Sequence, residues 1–141
     1  MFSRDAIGED RAVHREGGGI PYNLEGVQAL LTIESQEKKD ALIIYLRGEM
    51  VFNELDDADS FFREKLVLKP RVIAIDCRQL QTLDSSGLGL LIRFTNEAAR
   101  ADVRIVFVDI TGQISALFDV SKLGAIFEIM SSSDFHKTYL A

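Results

Sequence analysis

The chain has 141 residues, 47% of them hydrophobic and 27% charged, a size and balance that suit one soluble globular domain with its own core. A formal net charge of −6 excludes the basic face of a nucleic-acid binder. The single cysteine, Cys77, excludes an internal disulfide and fits a reducing compartment. No stretch approaches membrane-spanning length, and a start carrying Arg4, Asp5, Glu9, Asp10 and Arg11 lacks the apolar centre of a signal peptide. The expectation is a cytoplasmic protein without membrane insertion that meets other proteins.

Residues 1–26 read as an N-terminal arm and lead-in segment: polar, aperiodic, carrying Gly17-Gly18-Gly19, with Pro21 and Gly26 around its end. The domain is expected over residues 27–141. Val27–Glu34 is apolar and β-compatible, and Ser35–Asp40 reads as a polar loop. Ala41–Leu46 is a continuous apolar run suited to a strand covered on both faces, and the two strands should form a hairpin. Past Gly48, Phe52, Leu55, Ala58, Phe62 and Leu66 fall at helical spacing, with Asn53 a candidate cap, Asp56, Asp57 and Asp59 on the solvated face and Pro70 closing the segment.

Arg71–Asp76 reads as the next strand, Ser86–Ala101 as a helix and Val103–Asp109 as another buried strand. Gly112–Val120 reads as a short helix, Ala125–Met130 as a short strand, and Ser133–Leu140 as a final helix with Ser131-Ser132-Ser133 offering caps. Strands alternating with helices imply parallel pairing through right-handed crossovers. The fold class is therefore α/β: a single domain with a mixed four- or five-stranded sheet and helices mainly on one face.

The most informative stretch is Asp84-Ser85-Ser86-Gly87-Leu88-Gly89, on the turn between an apolar strand and an amphipathic helix. A helix start exposes unpaired backbone N–H groups, and its dipole favours negative charge there. On a helical wheel Leu88, Leu91, Ile92, Thr95, Ala98 and Ala99 share the sheet-facing side. Ser86, Gly89, Leu90, Arg93 and Glu97 fall opposite, with Phe94 at the boundary. Ser86 is thus expected at the surface beside an apolar patch of Leu90 and Phe94. Capping by Asp84 or Ser85, worth ~1 kcal/mol, explains one polar residue here. It does not explain two glycines, each costing roughly 0.8–1 kcal/mol inside a helix.

Asp76, Leu80, Leu83 and the run Asp84-Ser85-Ser86-Gly87-Leu88-Gly89 resemble the signature of STAS domains, most of all the small bacterial anti-sigma factor antagonists. The resemblance implies partner switching. The unmodified protein would bind an anti-sigma factor or serine kinase of the GHKL ATPase type and free a transcription factor. Phosphorylation of Ser86, the second serine, would end that interaction and a serine phosphatase would restore it. Asp84, Ser85, Gly87 and Gly89 would form the phosphosite loop, with Leu90, Arg93 and Phe94 beside it for partner binding. No catalytic residue, cofactor or metal is implied for this chain. STAS domains also serve as phosphorylation-independent scaffold subunits of stress-sensing or transport assemblies, the alternative reading. Where many antagonists carry Gly-Glu-Leu-Asp after the second strand, this chain has Gly48-Glu49-Met50-Val51.

Other motifs are weaker. Gly87-Leu88-Gly89 lacks the third glycine of a dinucleotide fingerprint and the lysine of a P-loop, and Ser-Ser-Gly-Leu-Gly is not a nucleophile elbow. His14 and His136 read as surface residues and Cys77 as a small core residue. Asp76 and Asp109 are expected to end strands near one rim of the sheet, where turn-capping suits them better than a metal.

Overall fold

The computed structural model describes residues 30–141. The expected arm, the start of the first expected strand and His14 lie outside the described residues. Strands β1 (Leu31–Lys38) and β2 (Ala41–Met50) pair antiparallel across Lys39-Asp40, with Lys39 in the left-handed region at φ 56°. β3 (Val72–Leu83) lies parallel to β2, β4 (Arg104–Val108) parallel to β3, and β5 (Glu128–Met130) parallel to β4. Sheet order is therefore β1-β2-β3-β4-β5. A short 3-10 turn, Phe52–Glu54, leads into α1 (Leu55–Val67). Helix α2 (Ser85–Arg100) follows β3 and α3 (Gly112–Val120) follows β4. α4 (Ser132–Phe135) continues as a π turn through His136–Leu140.

The strand pleat divides the core in two. On the face carrying α1, α2 and α3, Ile33, Ile44, Leu46, Ile73, Ile75 and Phe107 pack with Phe62, Leu91 and Phe118. On the other, Ala41, Ile43, Val72, Ala74, Val106 and Val108 are covered by Phe135 and Tyr139 of the C-terminal segment. Burial on both faces is why β2 and β4 read as unbroken apolar runs.

Several boundaries differ from the sequence reading. β2 runs past Leu46 and Gly48 to Met50, because β3 still pairs with it there, and β5 starts only at Glu128, since Leu123–Ala125 form a 3-10 turn. β1 continues to Lys38 and absorbs most of the expected loop, because it is an edge strand whose alternate residues face water. Gln36, read as loop, accepts a hydrogen bond from the Tyr45 hydroxyl at 3.0 Å. β3 runs past Asp76 to Leu83, since β4 pairs with it only as far as Asp76 while β2 continues through bulges after Tyr45 and Gly48. That extension is polar on its open side, so the apolar run ends before the strand does. Asn53 does not cap α1: Glu54 holds that position, and its Oε1 accepts the Leu31 N–H at 3.2 Å.

Candidate functional site

Met50 pairs with Leu83, so the turn leaving β2 and the turn entering α2 lie side by side. Asp84 joins them. Its Oδ1 accepts the Gly87 N–H at 2.8 Å, capping α2, and its Oδ2 accepts the Phe52 N–H at 3.0 Å. Its own N–H points at the Met50 carbonyl, 3.5 Å away. Of the two expected capping residues it is Asp84 that caps; Ser85 is the first residue of the helix and exposed.

The two glycines prove different. A β-carbon on Gly87 would stand 2.2 Å from the Met50 carbonyl oxygen and 2.8 Å from Leu83 Cδ1, so packing of the two turns demands glycine there. A β-carbon on Gly89 would meet nothing within 4 Å. Packing leaves the bareness of Gly89 unexplained.

Ser86 is half-buried and lines a groove of about 430 Å³ with Phe52, Asn53, Leu55, Asp56, Leu90 and Arg93. The wheel placed Leu90 outward; it is 3% exposed and only its edge meets the groove. Phe94, expected at the boundary, is 2% exposed and stacked on Phe62 with ring centroids 4.6 Å apart. The wheel assumed one buried face. α2 packs against both the sheet and α1, so its buried arc is wider, while Ala99 turns out to be exposed. The expected Leu90–Phe94 surface patch is therefore absent. In its place Phe52, which the spacing put in the core, stands 72% exposed. It belongs to the 3-10 turn before α1, outside the helix's phase.

Ion pairs tie α1 to α2 beside the groove. Arg63 Nη2 lies 3.7 Å from Glu97 Oε2 and Arg93 Nη2 3.7 Å from Asp59 Oδ1, while within α1 Arg63 Nε also lies 3.2 Å from Asp59 Oδ2.

Asp76 sits within β3 and its Oδ1 accepts the Arg78 N–H at 2.9 Å. Asp109 Oδ1 accepts the Ser132 N–H at 2.9 Å and its Oδ2 binds Arg78 Nη2 at 2.8 Å. Burial alone would push the Asp109 carboxyl up, but these donors more than offset it and hold it below the usual carboxylate range. Both carboxylates are thus engaged by Arg78 and backbone, and among the described residues no group of three or more His, Cys, Asp or Glu side chains is arranged to hold a metal ion. Cys77 is buried, and burial, with Asp76 and Asp109 nearby, pushes its thiol far above the usual range. His136 is exposed on the C-terminal segment. Among the described residues no helix is long and apolar enough to cross a membrane.

Comparison with known proteins agrees with this architecture. A STAS-domain containing protein of Pseudomonas aeruginosa is 25% identical over 103 residues, which cover 73% of this chain and 97% of that protein. Among solved structures, an anti-sigma factor antagonist from Mycobacterium paratuberculosis superposes with a TM-score of 0.67 at 16% identity, covering 77% of this chain and 92% of that one. The anti-sigma factor antagonist SpoIIAA in its unphosphorylated form gives 0.66 at 17% identity, covering 77% and 97%. The phosphorylated form of SpoIIAA, a cell fate determinant of Bacillus, gives 0.59 at 17% identity, covering 74% and 96%. These likenesses establish a shared fold. The STAS domain family model matches residues 32–136, most of the chain and nearly all of the described domain, and the chain belongs to that family.

Proposed function

We propose that this chain is an anti-sigma factor antagonist of the cytoplasm that works by partner switching, with Ser86 its reversibly phosphorylated residue. The observation that carries the reading is the placement of Ser86: second residue of α2, behind an Asp84 cap, on a groove rather than in the core. A STAS fold whose solved neighbours include SpoIIAA in unphosphorylated and phosphorylated forms supports it. In the reaction the Ser86 hydroxyl oxygen forms a bond to the γ-phosphorus of ATP, the bond to the β-phosphate oxygen breaks, and ADP leaves. The hydroxyl proton passes to a base of the kinase, a GHKL-type ATPase that also supplies the nucleotide and Mg²⁺ site. A serine phosphatase reverses the modification. No catalytic step is assigned to this chain.

The partner-facing surface on this reading is Ser86, Arg93 and the exposed Phe52, with Leu90 as floor and Phe94 withdrawn into the core. The test is to incubate the protein with the cognate kinase and ATP and to locate phosphate by mass spectrometry. Phosphate on Ser86, and weaker capture of the partner by Ser86→Asp or by the phosphoprotein than by wild type, is the expected result. Phosphate mainly on Ser85 would overturn the site. No phosphate with intact partner capture would favour the scaffold reading.

A further inference from the structure

Arg93 stands in a relation to Ser86 that partner contact alone does not use. Seven residues are nearly two helical turns, so the two side chains share one face of α2, about 10 Å apart along the axis. Helical side chains lean toward the N-terminus, which carries the Arg93 guanidinium back toward Ser86. Both line the same groove, and Arg93 is the cation among the residues that line it.

The present engagement of Arg93 is loose. Its Nη2 is 3.7 Å from Asp59 Oδ1, an ion pair too long for a hydrogen bond. Asp59 is held more closely by Arg63 Nε, at 3.2 Å and 3.3 Å from its two oxygens. Asp59 therefore keeps a partner if Arg93 leaves, and more than half of the Arg93 side chain is exposed to solvent.

We propose that Arg93 is the intramolecular receiver of the phosphate on Ser86, and that it exchanges Asp59 for that phosphate when Ser86 is modified. The inference rests on the phosphorylation reading above. A guanidinium matches a phosphate with paired, charge-assisted hydrogen bonds that a single long contact to a carboxylate does not rival. The exchange also offsets the like charge of Asp56, which lines the same groove. Its consequence is a second signal: modification on α2 loosens one of the ion pairs to α1, so a partner meets a changed α1 rim as well as a phosphate.

The experiment uses the full chain with phosphoserine installed at position 86 during translation, so no kinase is needed. A kinase that ignores Ser86 would sink the phosphorylation reading without touching this measurement. The second ionisation of the phosphate, ordinarily near pH 6, is followed by its ³¹P resonance. Of the charged groups nearby, Asp56 and Arg93 line the groove with Ser86; Glu54 and Asp84 precede α1 and α2, Asp57, Asp59 and Arg63 lie on α1, and Glu97 lies on α2. An opposite charge in contact favours the dianion, so the wild-type midpoint should lie about half a unit below that of Arg93→Gln. Arg63→Gln, which removes a neighbouring cation that does not line the groove, should move it less than half as far. Equal midpoints in wild type and Arg93→Gln would overturn the proposal. So would an Arg63→Gln shift as large as that of Arg93→Gln, since that would mark a diffuse field rather than a contact.

Discussion

Replacing Gly87 or Gly89 of the loop entering α2 by alanine should move stability in opposite directions. At Gly87 the added methyl would fall 2.2 Å from the Met50 carbonyl oxygen and 2.8 Å from Leu83 Cδ1. Leu83 can rotate away; the carbonyl cannot, because it belongs to the turn that Asp84 ties down through Phe52. Overpacking of a filled site costs about 1–3 kcal/mol, and alanine's helical advantage returns at most about 1 kcal/mol, less in a first turn. Gly87→Ala should therefore destabilise by about 1–2 kcal/mol. At Gly89 nothing lies within 4 Å of the added methyl. Only the helical advantage remains, so Gly89→Ala should stabilise by about 0.5–1 kcal/mol. Urea unfolding followed by circular dichroism would measure both, with equal m-values confirming that the comparison is of stability alone. If Gly87→Ala matched wild type, the close packing of the two turns would be wrong. If Gly89→Ala stabilised the domain yet weakened partner capture, its bareness would belong to recognition, since a structural role cannot produce that split.

Leu91→Ala, at a fully buried position, should cost about 2–5 kcal/mol, and Leu90→Ala should fall toward the low end of that range; a neutral Leu90→Ala in urea unfolding would return Leu90 to the surface. Asp109 has a depressed pKa, so the stability it contributes is in place above the unfolded carboxylate value of about 3.9 and is lost as pH falls through the lower folded value. The stability gap between wild type and Asp109→Asn should accordingly close below about pH 4, and a gap that persisted there would assign the loss to something other than charge. Deleting residues 1–19, polar and glycine-ended, should leave the melting temperature of the domain unchanged within a degree or two in a thermal scan, and a drop of several degrees would place the domain boundary earlier.

Element order and the main helices were legible because their signals are local. Gly112–Val120 is set by its own residues, and the apolar runs of β2 and β4 by burial on both faces. What escaped depended on neighbours distant in sequence. β3 continues past Asp76 because β2 is there to pair with it, a fact held in residues 47–50 and not in 77–83. Leu90 and Phe94 are buried because Phe62 and its helix lie over them, and a wheel drawn for one helix cannot contain the second. The Asp84–Gly89 run was legible as a motif, but the double use of Asp84, capping α2 while holding the Phe52 turn, needed the Met50–Leu83 pairing to be seen. Phe52 was misplaced for the same reason: its exposure is decided by where that turn is tied.

The same arrangement bears on why a phosphate would act on partners more than on the fold. Ser86 is the second residue of a helix already capped, so a phosphate there meets the positive end of a dipole, worth about 0.3–1 kcal/mol, and displaces no cap. Its charge of about −1.5 to −2 faces a groove open to water. The domain should keep its stability when modified. A partner seated on that groove would have to bury the charge, at roughly 2–5 kcal/mol if it goes unpaired, or some thirtyfold to several thousandfold in affinity. On the proposed reading the fold would separate the two quantities a switch must separate: Asp84 caps the turn and Gly87 packs closely within it, whereas Ser86, Phe52 and Arg93 line the groove that another protein would read.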